Sequence, residues 1–195
     1  MKEEDIRPKK LFNNFIKILE KDSKKFFKKF QKNKSKCIAC GVKTNFVFQK
    51  INFKYDKCPK CKTLFANPRP LIDNLNDFYT NSNSSKFWSS DFYKKTQKNR
   101  TKFLWKNKAL SIFNFLKKDN REKYELVDIG SGYGLFADEF KKLSKKTDIT
   151  LIEPSVYLSK ILKKKQYKVI SQFLEKINKN KLSKKNKLFN CFELL

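Results

Sequence analysis

The chain has 195 residues, with 47 Lys and Arg against 19 Asp and Glu, a formal net charge of +28, and no histidine. Without histidine it can build no Ser-His-Asp or Cys-His hydrolase, no His-bearing zinc protease and no imidazole general base. Hydrophobic residues at 39% and aromatics at 15% suffice for a core, so a folded, strongly basic protein is expected rather than a disordered one.

The charge is mostly lysine: 43 Lys against four Arg, with Ala and Gly also at four each and Asn at 18, the bias of an AT-rich coding sequence. Arg, with its planar fork, is the residue that phosphate and base recognition favours, so the excess reads first as a solvated lysine surface. A nucleic-acid partner stays open but is not favoured. No stretch approaches the ~18 apolar residues of a membrane span. Residues Met1 to Lys10 carry both charge signs and no apolar segment follows, which predicts a cytoplasmic protein whose five cysteines are thiols or metal ligands.

In chain order, residues 1–36 read as a basic amphipathic helical extension. Leu11, Phe15 and Leu19, then Phe12 and Ile16, then Phe26, Phe27 and Phe30 recur at helical spacing, predicting one or two helices from Leu11 to about Lys34. Residues 37–66 read as a zinc ribbon. Cys37-Ile38-Ala39-Cys40-Gly41 and Cys58-Pro59-Lys60-Cys61 are two C-x-x-C knuckles in the spacing of a four-cysteine site, with Phe46–Phe48 and Ile51–Tyr55 as the strands between them. Cys37, Cys40, Cys58 and Cys61 would close a tetrahedron of thiolates around Zn²⁺, with no open position and hence a structural role.

Residues 67–123 read as a helical connector. It opens on Asn67-Pro68-Arg69-Pro70, with helices from Leu71 to Tyr79 and around Phe103, Leu104, Ala109, Leu110, Ile112, Phe113 and Leu116. The Asn- and Ser-rich stretch Thr80 to Ser90 reads as a loop anchored by Phe87-Trp88.

From residue 124 onward the pattern is α/β. Leu126–Ile129 is a strand, Gly130-Ser131-Gly132-Tyr133-Gly134 a glycine-rich turn and Leu135 to Leu143 a helix, an arrangement that turns backbone N–H groups toward a ligand at the carboxyl end of a parallel strand. Ile149–Glu153 is a second strand ending in an acid about 20 residues beyond the glycines, where an adenosine ribose would be held. Val156–Lys164 reads as helix, Tyr167–Ile170 as strand, Phe173–Ile177 as short helix and Leu188–Phe192 as a fourth strand, so about four parallel strands are expected. The third glycine of a G-x-G-x-x-G dinucleotide fingerprint would fall on Leu135. The pattern present is instead Asp128-x-G-x-G-x-G.

Together, the ribbon, Thr63-Leu64-Phe65-Ala66-Asn67-Pro68-Arg69-Pro70, Asp128-Ile129-Gly130-Ser131-Gly132-Tyr133-Gly134 and Ile152-Glu153-Pro154-Ser155 resemble the zinc-ribbon members of the class I S-adenosylmethionine-dependent methyltransferases, which methylate sugars and other small metabolites. The similarity spans about Cys37 to Leu195. It implies a Rossmann-like sheet in which Gly130, Ser131, Gly132 and Gly134 lie against S-adenosylmethionine. Asp128 would sit near its methionyl amino group, Glu153 would take the ribose hydroxyls, and Pro154 and Ser155 would lie beside the adenine. Ser131 stands where the family more often has Cys.

In that family the fourth strand is followed by a Glu-His pair and three further strands. Asn190-Cys191-Phe192-Glu193-Leu194-Leu195 matches only the end of the fourth strand, so residues 124–195 are expected to be the N-terminal half of the sheet, completed by a missing segment or a partner. No catalytic base is assigned. Three readings follow: methyl transfer to a small-molecule acceptor such as a sugar, a zinc-ribbon RNA methyltransferase, and a non-catalytic remnant or partner-completed fragment.

Overall fold

The computed structural model describes residues 2–30, 34–118, 124–178, 182 and 187–192. The Glu193–Leu195 segment, residues 31–33 of the extension and residues 119–123 of the connector lie outside them. The chain divides into two units, Lys9–Phe92 and Met1–Pro8 together with Tyr93–Leu195. A single helical turn, α1 (Glu3–Ile6), belongs to the second.

The first unit begins with α2 (Lys9–Phe26). Its apolar stripe packs on aromatic residues from the far end of the same unit: Phe15 lies 4.8 Å from Trp88 and Phe12 lies 6.2 Å from Phe92, between ring centroids. The helix ends eight residues before the expected Lys34. Asn74 Nδ2 donates to the Phe26 carbonyl at 2.6 Å and Asn52 Nδ2 to the Phe27 carbonyl at 2.8 Å, so side-chain amides take over carbonyls that another helical turn would have used. Phe27 and Phe30 are therefore not helical; both rest on Phe53.

Three antiparallel strands follow in the order β1 (Asn45–Lys50), β2 (Phe53–Lys57) and β3 (Leu64–Ala66), the last beyond the two expected. Ile51 at φ 56° helps turn the β1–β2 hairpin, and the register slips at Val47, between Phe46 and Phe48. Buried Asp56 accepts hydrogen bonds from Thr44 Oγ1 at 2.9 Å, Asn67 Nδ2 at 2.9 Å and Lys34 Nζ at 3.2 Å. Burial opposes its charge, yet these donors hold the carboxyl below the ordinary carboxylate range.

The expected Thr80–Ser90 loop is helical. α3 (Ile72–Asn81) ends at Ser82, whose Oγ accepts the Ser85 amide at 3.0 Å and starts α4 (Asn83–Phe87). Asp22 of α2, also buried, accepts the Ser84 amide at 2.5 Å, a cap supplied from 62 residues away. A wide π-turn over Trp88–Phe92 then stacks Trp88 on Phe92 at 4.4 Å. Asn and Ser here act as caps, which their composition alone disguises as loop.

In the second unit, α5 (Tyr93–Arg100), a π-turn (Thr101–Trp105) and α6 (Lys106–Lys118) precede a four-stranded sheet. α1 is tied to α5 by Asn99 Nδ2 donating to the Asp5 carbonyl at 2.9 Å. The strands β4 (Glu125–Ile129), β5 (Ile149–Ile152), β6 (Lys168–Ile170) and β7 (Lys187–Asn190) are all parallel, in the order β6-β5-β4-β7. α7 (Leu135–Leu143) follows β4 and α8 (Val156–Lys164) follows β5, both with the expected bounds. Leu126 and Leu151 pack with Trp105, Ala109, Phe136, Phe140 and Leu162 in the main core. Val127, Ile152 and Ile170 form a smaller cluster of their own. Alternate residues of β4 thus serve two apolar clusters, which explains why β4 and β5 read as apolar runs without alternation. Among the described residues, no helix is long and apolar enough to cross a membrane.

Candidate functional site

The first candidate centre is the cysteine cluster. Its two knuckles repeat one turn: Cys37 N donates to the Val42 carbonyl and Gly41 N to the Cys37 carbonyl, as Cys58 N does to Thr63 and Lys62 N to Cys58. Gly41 at φ 73° and Lys62 at φ 63° hold the same left-handed place. Sulfur pairs Cys37–Cys61, Cys40–Cys58 and Cys40–Cys61 are each 3.5 Å apart, and all four sulfurs lie within 4.8 Å of one another. Disulfide sulfurs would be about 2.05 Å apart, whereas sulfurs about 2.3 Å from a tetrahedral zinc stand about 3.8 Å from each other. The four cysteines thus form a group that could hold a metal ion such as zinc.

Without metal the sulfurs differ. Thr63, through hydroxyl and backbone, pulls the Cys61 thiol down to about 6, and the Cys61 backbone N–H lowers Cys58. The Val42 backbone favours the Cys40 thiolate, but neighbouring Cys58 and Cys61 push Cys40 up to about 12.

The second centre lies at the carboxyl edge of β4 and β5. Ile129 pairs with Ile152, so the glycine loop after one strand and Glu153 after the other emerge side by side. Gly130 N and Ser131 N donate to the Ile152 carbonyl at 2.8 and 3.2 Å, and Ser131 Oγ donates to the Asp128 carbonyl at 2.8 Å. Glu153 Oε2 accepts the Gly132 amide at 2.8 Å and Oε1 the Ser155 amide at 2.9 Å. Ser155 caps α8 by accepting the Leu158 amide, and Pro154 links it to Glu153. The loop needs glycine most at Gly134, where φ is 71° and an added Cβ would come within 2.7 Å of Leu162 Cδ2. At Gly132 φ is 55° and the same atom would meet open space. Asp128, Gly130, Ser131, Gly132, Gly134, Glu153, Pro154 and Ser155 are thus gathered on one edge.

Sequence reasoning missed the groups that hold this edge. Asn190, at the end of β7, donates to Asp128 Oδ1 at 2.7 Å, a contact legible only once β7 is known to neighbour β4. Buried Tyr133 stacks on Tyr93 at 5.5 Å, Arg100 lies over the Tyr93 ring at 4.8 Å, and Lys165 Nζ donates to the Tyr133 carbonyl at 2.9 Å. Burial pushes the Asp128 carboxyl up to about 7, against the Asn190 hydrogen bond and with the Glu153 charge adding to the rise. Burial also raises Glu153, offset by the Ser155 and Gly132 amides.

No family model and no curated protein matches the chain.

The edge lies where strand order reverses, with β5 on one side of β4 and β7 on the other, the position at which open parallel sheets bind ligands. A separate depression of about 560 Å³ against α7, lined by Thr101, Asp138, Lys141, Lys142 and Tyr167 among others, contains none of the eight edge residues.

Proposed function

We propose that this chain binds S-adenosylmethionine on a Rossmann-like methyltransferase sheet and serves methyl transfer to a small-molecule acceptor such as a sugar, with a structural zinc ion in the cysteine cluster. The observation that carries the reading is the hydrogen bond from the Gly132 amide to Glu153 across the β4–β5 edge at the strand-order reversal. It sets an acid with spare lone pairs beside a glycine loop that stays open above Gly132.

When bound, the cofactor supplies a methyl group activated on a sulfonium. The chain's part is to bind and orient. Gly130, Ser131, Gly132 and Gly134 allow close backbone approach, Asp128 would face the cationic amino group, Glu153 would accept from ribose hydroxyls, and Pro154 and Ser155 would flank the adenine. A carboxyl with one oxygen already taken by Asn190 and held near neutrality suits an ammonium partner, whose arrival favours the ionised form. Leu135 in the core, where a dinucleotide loop needs its third glycine, and Asp128 two positions before Gly130 favour this cofactor over a nicotinamide or flavin dinucleotide. Holding donor and acceptor in line is the acceleration such a site offers.

Calorimetric titration of the chain with S-adenosylhomocysteine tests the proposal. Binding that Glu153→Ala weakens at least about tenfold, with no heat from NAD, is expected. Absence of binding, or binding indifferent to Glu153, overturns it.

A further inference from the structure

All six residues of β1 are exposed, although the strand carries Phe46, Val47 and Phe48 in succession. β1 is an edge of its sheet, where an apolar strand invites association unless something covers it. Pairing of Phe48 with Tyr55, Lys50 with Phe53 and Lys57 with Leu64 sets these six side chains on one sheet face. Phe53 is covered there by Phe27 and Phe30. The rest is open: Phe48 and Leu64 are 37% and 49% exposed, and the Phe48 and Tyr55 rings stack 4.9 Å apart and 20° from parallel. Exposed Lys50 and Lys57 flank that pair.

Charge decides what could cover this face. Between Lys34 and Ala66 stand eight lysines, all exposed, and one acid, Asp56, which is buried and paired with Lys34. A second copy would bring the same charge against it. The two rings already form a stack, which a further planar group can extend. Aromatic rings on a sheet with flanking lysines hold unpaired bases by stacking while the cations follow the phosphates.

We propose that the Phe48–Tyr55 face of the ribbon is a docking surface for single-stranded nucleic acid. The site lies within the ribbon and does not rest on the cofactor reading.

Fluorescence anisotropy of the zinc-loaded full chain with a labelled single strand of roughly 12 nucleotides, and with the matching duplex, tests it. The expected result is preference for the single strand, an affinity that falls with salt, and a loss of about tenfold for Phe48→Leu or Tyr55→Leu, with Phe48→Trp retaining binding. Zinc content reports whether each variant keeps its ribbon, and the single-strand preference of the unmodified chain decides the matter if a leucine variant does not fold. Equal binding of duplex, indifference to both leucine substitutions, binding only to phosphatidylserine vesicles, or self-association blocked by Phe48→Leu in place of nucleic-acid binding would each overturn the proposal.

Discussion

The Glu153 carboxylate and the Gly132 amide, 2.8 Å apart, join the ends of two neighbouring parallel strands through a side chain rather than through the backbone ladder. Because the same carboxylate also receives the Ser155 amide, it organises the glycine loop and the start of α8 together.

Removing that carboxylate should cost stability as well as any ligand affinity. Glu153→Ala leaves two amides without their charged acceptor, a loss of about 3 kcal/mol, whereas Glu153→Gln keeps one oxygen and should lose about 1 kcal/mol. Urea unfolding followed by circular dichroism measures both, and equal stability of the two variants would contradict the geometry.

Asp128 makes stability depend on pH in a defined direction. Its folded carboxyl titrates near 7, above the 3.8 of a free one. Between these values the folded state holds a proton that the unfolded state has lost, so stability falls as pH rises from about 4 to about 7 and is level beyond. Asp128→Asn should remove this component, and its stability relative to the unmodified chain should grow across the same window. Asn190→Ala, which takes away the donor favouring the ionised form, should move the upper end to higher pH. Urea midpoints at a series of pH values provide the comparison.

Metal removal should register in the thiols. With one zinc bound, only Cys191 of the five cysteines, exposed and outside the cluster, should react freely with a thiol reagent. Chelation should release the other four and loosen the ribbon, and Cys58→Ser should prevent stoichiometric loading. Zinc analysis alongside thiol titration tests this; five reactive thiols in the zinc-loaded chain would refute it.

Two glycines of one loop should respond differently to alanine. Gly134→Ala combines left-handed strain with a methyl pressed against Leu162 and should cost about 3 kcal/mol. Gly132→Ala meets only the strain, about 1 kcal/mol, but sets its methyl in the open space where the cofactor is proposed to lie. Thermal unfolding paired with S-adenosylhomocysteine titration separates the effects: the first substitution should act mainly on stability, the second mainly on binding.

The α7 and α8 boundaries were legible because apolar spacing and turn residues agree there: Gly134 and Ser155 stand one residue before each helix. Thr80–Ser90 was not, since Ser82 works there as a cap on the Ser85 amide and the Ser84 amide finds its acceptor in Asp22 of α2, 62 residues away. Phe27 and Phe30 keep helical spacing while leaving the helix, because packing on Phe53 offers them more than another turn would. β3, three residues long, carries no alternation to read. At the glycine edge, the residues singled out in the sequence stand together because Ile129 and Ile152 end neighbouring strands in register. Asn190, Tyr93 and Lys165 reach it through strand order and helix packing, which spacing along the chain does not encode.

The cap that Asp22 gives Ser84 also sets a clock. During synthesis α2 emerges with its carboxylate unpartnered, and 62 further residues must follow before the amide it serves exists. At roughly 5–20 residues per second the wait is roughly 3–12 s. Throughout it, Phe12 and Phe15 also lack Trp88 and Phe92. α2 is thus made well before the residues that secure it, and its apolar face stays open to other contacts through that interval.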